Sequence, residues 1–363
     1  MRVQSSILVI LALSACTAKL EGPEIQQAAM TPEKVAGKLA LAMTENSLMK
    51  EVRDAVDMSA LNGYDDEYLL RDAMLNPGIG VGGLPESKAA AEYPEPMRDI
   101  LAAYGLESAD EMEDLQIYWP YYEDWDGETL PVITYDPGNG ADSNEGWLPG
   151  GEKVLVDEEM ARERPVWVVN RNSDAAFTSL EMKRRQDPSW GTGGGTIVVK
   201  STPVEPDIRT LVLRSFKAHR QFDSWLAGGS EFFVKTGAVE DFTASTPAEL
   251  LLYQPSITDF MIVVRRKQVG TEIPFNAVLV SDWSQKLDNC AFMITEDDGG
   301  TITSWKCNAF VRVQSKSYGF EVDLPLNSRD DIVWRGSLTR KYIEKYSGQR
   351  VRFGDVDLVL ELI

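Results

Sequence analysis

Residues 355–362 of this chain fix their own geometry. Val356, Leu358, Leu360 and Leu362 share one parity, while Asp355, Asp357 and Glu361 fall on the other, so a two-residue period gives one apolar and one polar face. Short runs suited to strands recur upstream at Thr196–Lys200, Arg209–Phe216, Glu231–Lys235, Phe260–Arg265, Phe275–Val280, Phe310–Gln314 and Tyr318–Val322, with turn residues between them. Many short strands joined by turns predict an antiparallel β-sandwich over residues 196–363, interrupted by one short helix at Leu338–Tyr346.

Ahead of it the period changes twice. Thr31-Pro32-Glu33 offers an N-cap, a proline at the first helical position and an acid in the first turn. Val35, Leu39, Ala42 and Met43 then recur at helical spacing, as do Leu48, Met49, Val52 and Val56 after the polar break Thr44-Glu45-Asn46. Further helices are expected over Asp65–Leu75, stopped by Asn76-Pro77, and near Pro96–Tyr104. From Leu115 the runs shorten into strands at Leu115–Pro120, Leu130–Tyr135, Lys153–Asp157 and Pro165–Asn170. The glycine-rich stretch Gln186–Gly195 reads as a linker. The expected fold class is α+β: a helical region at 31–112, a small acidic β-rich region at 113–185, a linker at 186–195 and the C-terminal sandwich.

The formal net charge is −21, and residues 62–163 alone carry 25 acids against 5 bases. So acidic a middle disfavours nucleic acid and anionic lipid surfaces, because affinity for phosphate comes from Lys and Arg.

Behind Arg2, Ile7–Leu13 is a seven-residue apolar run closed by Leu13-Ser14-Ala15-Cys16, far short of the ~20 residues a membrane-spanning helix needs. The segment resembles the bacterial lipoprotein signal, all four positions of whose box are matched. The resemblance implies a signal peptide at 1–15, an acylated Cys16, a tether at 16–30, and an exported protein held to the cell envelope membrane by its N-terminal lipid. Trp119-Pro120-Tyr121 through Trp125, and Val156-Asp157-Glu158-Glu159 leading into Pro165–Asn170, are similar to uncharacterised lipoproteins of Bacteroidetes-type bacteria, a likeness that transfers no activity.

Once Cys16 is assigned to lipid, Cys290 and Cys307 remain as an even pair in a compartment that permits disulfides. Asp298-Gly299 is a preferred dipeptide for a two-residue hairpin turn. Counting outward from it sets Cys290 opposite Cys307 and predicts a cross-strand disulfide, with Phe292, Ile294 and Trp305 on the cysteines' face. The acidic turn Glu296–Gly300 also resembles one loop of a C2-type module, whose calcium sites draw aspartates from two.

Two loops carry the other candidates. Asp136, Asn139, Asp142, Asn144 and Glu145 offer oxygen ligands suited to calcium, with a solvated acidic loop as the plainer reading. Trp119, Tyr121, Tyr122, Glu123, Asp124, Trp125 and Asp126 combine aromatics and acids, which could line a cleft for sugar. His219 is the sole histidine, which excludes paired-His zinc sites and H-E-x-x-H. Gly78–Gly83 matches G-x-G-x-x-G but lacks the preceding strand and following helix, and reads as a flexible loop. The expected role is binding or scaffolding at the envelope, to a protein or polysaccharide partner; a hydrolase acting on polysaccharide is the alternative.

Overall fold

The computed structural model describes residues 30–43, 47–83, 93, 96–106, 108–112, 114–172, 176–186 and 208–363. Cys16, the signal, nearly all of the tether, most of the linker and the strand expected at 196–200 lie outside the described residues.

Thr31 caps the first helix as its sequence suggests: its Oγ1 accepts from Lys34 N at 3.3 Å, and Pro32 starts α1 (Pro32–Ala42). α2 (Ser47–Leu61) follows. Their apolar stripes, including Val35, Leu39, Leu48, Met49, Val52 and Val56, are fully buried against one face of a six-stranded sheet. That sheet comprises β1 (Glu67–Leu69), β2 (Leu115–Tyr118), β3 (Val132–Tyr135), β4 (Ser143–Trp147), β5 (Lys153–Asp157) and β6 (Val166–Arg171), in the order β1-β2-β6-β3-β4-β5. All neighbours are antiparallel except β3 and β6. The helical and acidic regions therefore share one core. Two expectations change here. Glu67–Leu69 is a strand paired with Gln116–Tyr118, so the helix expected from Asp65 is only α3 (Leu70–Leu75). Gly78–Gly83 is a loop as expected, but Gly78–Val81 is buried, and a Cβ on Gly80 would stand 2.0 Å from the Ala55 carbonyl oxygen of α2. α4 (Met97–Ala103), α5 (Glu158–Glu163) and α6 (Leu180–Gln186) complete this lobe.

β6 explains how the lobes join. Trp167 and Val169 face the helices, while Val166 and Val168 face the opposite way with Trp225 and Leu226 of the C-terminal lobe. A strand covered on both faces reads as a continuous apolar run, as Val166–Val169 does.

The C-terminal lobe is the expected sandwich. β7 (Ile208–Ala218), β10 (Ile273–Ser284), β15 (Arg350–Phe353) and β16 (Val356–Leu362) form a four-stranded sheet in the order β10-β7-β16-β15. β8 (Ser230–Ala238), β9 (Ser256–Val264), β11 (Leu287–Glu296), β12 (Ile302–Val313) and β13 (Lys316–Asn327) form the second, in the order β13-β12-β11-β8-β9, with β14 (Asp331–Thr339) also paired to β11. A shared core including Leu213, Phe216, Phe232, Phe260, Phe292 and Leu358 fills the interior. The short helix is α7 (Arg340–Tyr346).

The hairpin around Asp298-Gly299 does not form in the predicted register. β11 meets β12 only at Leu287↔Val311 and Asn289↔Phe310; beyond that β14 runs along β11, setting Cys290 opposite Leu338. Cys307 lies opposite Val322 on β13 instead. Both cysteines are free thiols. β12 and β13 pair without interruption from Ile302↔Asn327 to Val313↔Lys316, closed by Gln314 at φ 56°, and this longer register overrides the local Asp-Gly signal.

Candidate functional site

The acidic-aromatic loop is committed to packing and to the seam between the lobes. Trp119 is a core residue, edge-on to Trp125 and Trp167 at 5.6 and 5.9 Å between ring centroids. Tyr121 donates to Glu158 at 2.7 Å and Tyr122 to Asp57 at 3.0 Å. Glu123 accepts from Arg265 at 2.8 Å, and Asp124 from Lys267 at 2.8 Å, so the basic run after β9 takes up two of the carboxylates that the sequence offered for catalysis. Asp126 closes its own turn, accepting from Thr129 Oγ1 at 2.6 Å and from Thr129 N and Glu128 N; these bonds hold its carboxyl down at about 2. The cavity here, lined in part by Trp119, Tyr121, Asp124, Trp125 and Asp126, holds about 120 Å³, well below the ~300 Å³ at which small-molecule pockets begin.

The expected cation loop does not converge. Ser143–Trp147 is a strand, so Asn144 and Glu145 point to opposite faces. Asn144 donates to the Tyr135 carbonyl at 2.8 Å and Glu145 pairs with Lys153. Asp136 and Asn139 accept from the backbone two residues on, at 2.9 and 3.1 Å, in local turns. Asp142 contributes its carbonyl to Trp225 Nε1 at 2.9 Å.

What the fold does assemble is an acidic cleft where the two lobes meet, with a volume of about 390 Å³. Asp65, Glu67, Asp136, Asp223, Glu231, Asp297 and Asp298 line it, against only Arg171 and Arg329 as basic residues. Its geometry follows from interlobe bonds. Asp65 Oδ2 accepts from Gly229 N at 2.7 Å, the neighbouring Asp66 accepts from Arg265 at 2.7 Å, and Asn170 donates to the Ala227 carbonyl at 2.6 Å. Asp297 caps its own turn, accepting from Gly299 N at 3.0 Å, and also takes 2.8 Å from Asn327 Nδ2.

At the inner end, Asp223, Glu231 and Glu296 bring one carboxylate oxygen each to within 4.8 Å of one another, and among the described residues no other His, Cys, Asp or Glu group of three does so. Glu296 is fully buried and neither of its oxygens has a well-formed hydrogen bond. Burial first, and then the facing Asp223 carboxyl, push it far above the ordinary carboxylate range. Burial also raises Asp223 and Asp65. Such displaced carboxyls in a cleft are what functional sites tend to concentrate. Sequence reasoning named Glu296–Gly300 as a hairpin turn that resembles one loop of a C2-type module, and did not name Asp65, Asp223 or Glu231 as site residues. The available signal was the second acidic turn; its partners come from other elements. His219, 2.8 Å from Asp357, does not line the cleft.

No protein-family model matches this chain, and no curated protein or solved structure is significantly similar to it.

Proposed function

We propose that this protein is an exported, lipid-anchored binding protein of the bacterial envelope that captures a small cationic ligand in its interlobe cleft. The export and anchoring half rests on the Leu13-Ser14-Ala15-Cys16 box and its apolar run. The binding half rests on one observation: a cavity of ligand size lined by seven carboxylates and two arginines. A concave site of one sign concentrates counter-charge, because low-dielectric walls focus the field.

The alternative, hydrolysis of polysaccharide through the acidic-aromatic loop, finds less support, since Glu123, Asp124 and Asp126 are bonded to Arg265, Lys267 and Thr129. The raised carboxyls of Asp223 and Glu296 lie in mutual contact, whereas glycosidase pairs stand about 5 Å apart or more so that a sugar fits between them.

Calorimetric titration of the full chain with spermidine at low ionic strength tests the binding half. Expected is binding that weakens as salt rises and is lost in Asp136→Asn/Asp298→Asn. No heat with spermidine, together with turnover of a neutral oligosaccharide, would reverse the assignment. For the anchor, Cys16→Ser protein should leave the membrane fraction, since stable attachment requires more than one acyl chain; unchanged fractionation would contradict it.

A further inference from the structure

We propose that Asp223, Glu231 and Glu296 form a calcium site at the inner end of the cleft. The assignment rests on the cleft reading above and gives it a specific inorganic ligand.

The geometry suits a hard cation. Three carboxylate oxygens from separate elements lie within 4.8 Å of one another, a span that two ligands of one calcium reach at about 2.3–2.6 Å each. Asp223 comes from the loop between β7 and β8, Glu231 from β8, and Glu296 from the adjoining end of β11. The backbone fixes the latter two relative to one another, since Asp297 N donates to the Glu231 carbonyl at 3.0 Å. An all-oxygen, carboxylate-rich set favours calcium or magnesium over zinc or copper. Loosely disposed ligands favour calcium, which tolerates irregular coordination, over magnesium, which requires a near-ideal octahedron.

Two further observations point to a ligand that the acids alone do not explain. Glu296 is 0% exposed, yet both of its oxygens lack a sound donor. It faces another carboxyl, Asp223, with the Ser230 side chain also beside it, and two facing carboxylates need a proton or a cation between them. Independently, Asp65 is 2% exposed and lines the same cavity, and its Oδ1 has no partner although Oδ2 is satisfied by Gly229. Buried polar atoms are seldom left unpaired, because each costs about 1–3 kcal/mol. The guanidinium of Arg266 does not fill the role: it donates to the backbone carbonyls of Asp223 and Gly228 and sits 3.5 Å from Glu158. The cavity of about 390 Å³ leaves room for the waters that would complete a calcium shell.

The test uses the full chain stripped with EDTA. Calcium chloride should raise the melting temperature and titrate calorimetrically with a stoichiometry of about one, with magnesium at least tenfold weaker. Glu296→Gln keeps the shape of the buried side chain while removing its ability to ionise and ligate; it should melt no lower than the metal-free parent and bind calcium at least tenfold more weakly. Glu231→Gln, at a less buried position, should weaken calcium similarly and guards against a folding defect in the first variant. Calcium that neither shifts melting nor releases heat overturns the assignment, as do variants that bind it like the parent. If calcium fails while spermidine still binds, the metal site falls and the cleft reading stands; if both fail, both fall.

Discussion

Arg265 Nη1 lies 2.7 Å from Asp66 Oδ1, tying the end of β9 in the C-terminal lobe to the segment that leads into β1. Asp66 is 1% exposed and Arg265 is largely covered, so this pair is a buried strut of the interlobe seam. Removing one partner of such a pair strands the other. Arg265→Met should therefore destabilise the protein by about 3 kcal/mol, at the low end of the usual range because Asp66 can take up a proton. Lys267→Ala, which releases the exposed Asp124, should cost under ~1 kcal/mol. Urea unfolding of the two variants would measure the contrast; equal costs would argue against the strut.

The two cysteines should behave as inert thiols. Burial pushes Cys290 up to about 12, and burial with Asp323 nearby pushes Cys307 up to about 11. Thiolate is the reactive form, so alkylation of the native protein near neutral pH should be slow at both positions. Denaturation without reductant should expose two alkylatable thiols at Cys290 and Cys307 by mass spectrometry. A native mass lower by two hydrogens would show that they are bridged.

Gly80 should tolerate no side chain. A Cβ there would meet Ala55 O at 2.0 Å and Ser59 N at 2.7 Å, both backbone atoms of α2 that cannot swing aside. Gly80→Ala should cost about 2–3 kcal/mol by overpacking. A variant with parental stability would mean that the loop moves freely on the helix.

The reach of sequence reasoning follows from what each signal encodes. Thr31, the stripes of α1 and α2, and the whole of β16 were legible because capping and hydrophobic period are local properties. β4 was hidden because Ser143-Asn144-Glu145-Gly146 has turn-forming composition and becomes a strand only through pairing with β3 and β5. The Cys290 register failed because Asp298-Gly299 carries a strong local turn signal, while Gln314-Ser315, where a tight reversal does occur, carries almost none. The cleft was out of reach for a different reason. Asp65, Glu231 and Glu296 sit in or beside elements whose apolar neighbours define the pattern, and period says which face is buried without saying which carboxylates an interlobe seam will gather.

Stability should fall as pH rises from about 5 to 8 in EDTA. Burial, with Asp65 adjacent, raises Asp66 to about 8 against the pull of Arg265, and burial with Asp297 nearby raises Asp330 to about 6. For a carboxyl raised in the native state, the unfolded chain releases its proton first. The native state is then penalised progressively as pH climbs from near 4 to the folded value. Glu158 and Asp357 are held low despite their burial, by Tyr121 and Arg352 respectively, and lose their contribution only below about pH 4. Melting scans should give a maximum near pH 5; a melting temperature that climbs steadily to pH 8 would contradict this balance.

Hydrogen–deuterium exchange of the full chain with and without calcium tests the central claim most directly, because it locates the ligand as well as detecting it. The account predicts slowed exchange at residues 223–231 and 294–299, extending to the 65–67 segment across the seam, with 136–145 changing less. Exchange that is identical in both states, or slowed only within 136–145, would contradict a cation site at the inner end of the interlobe cleft.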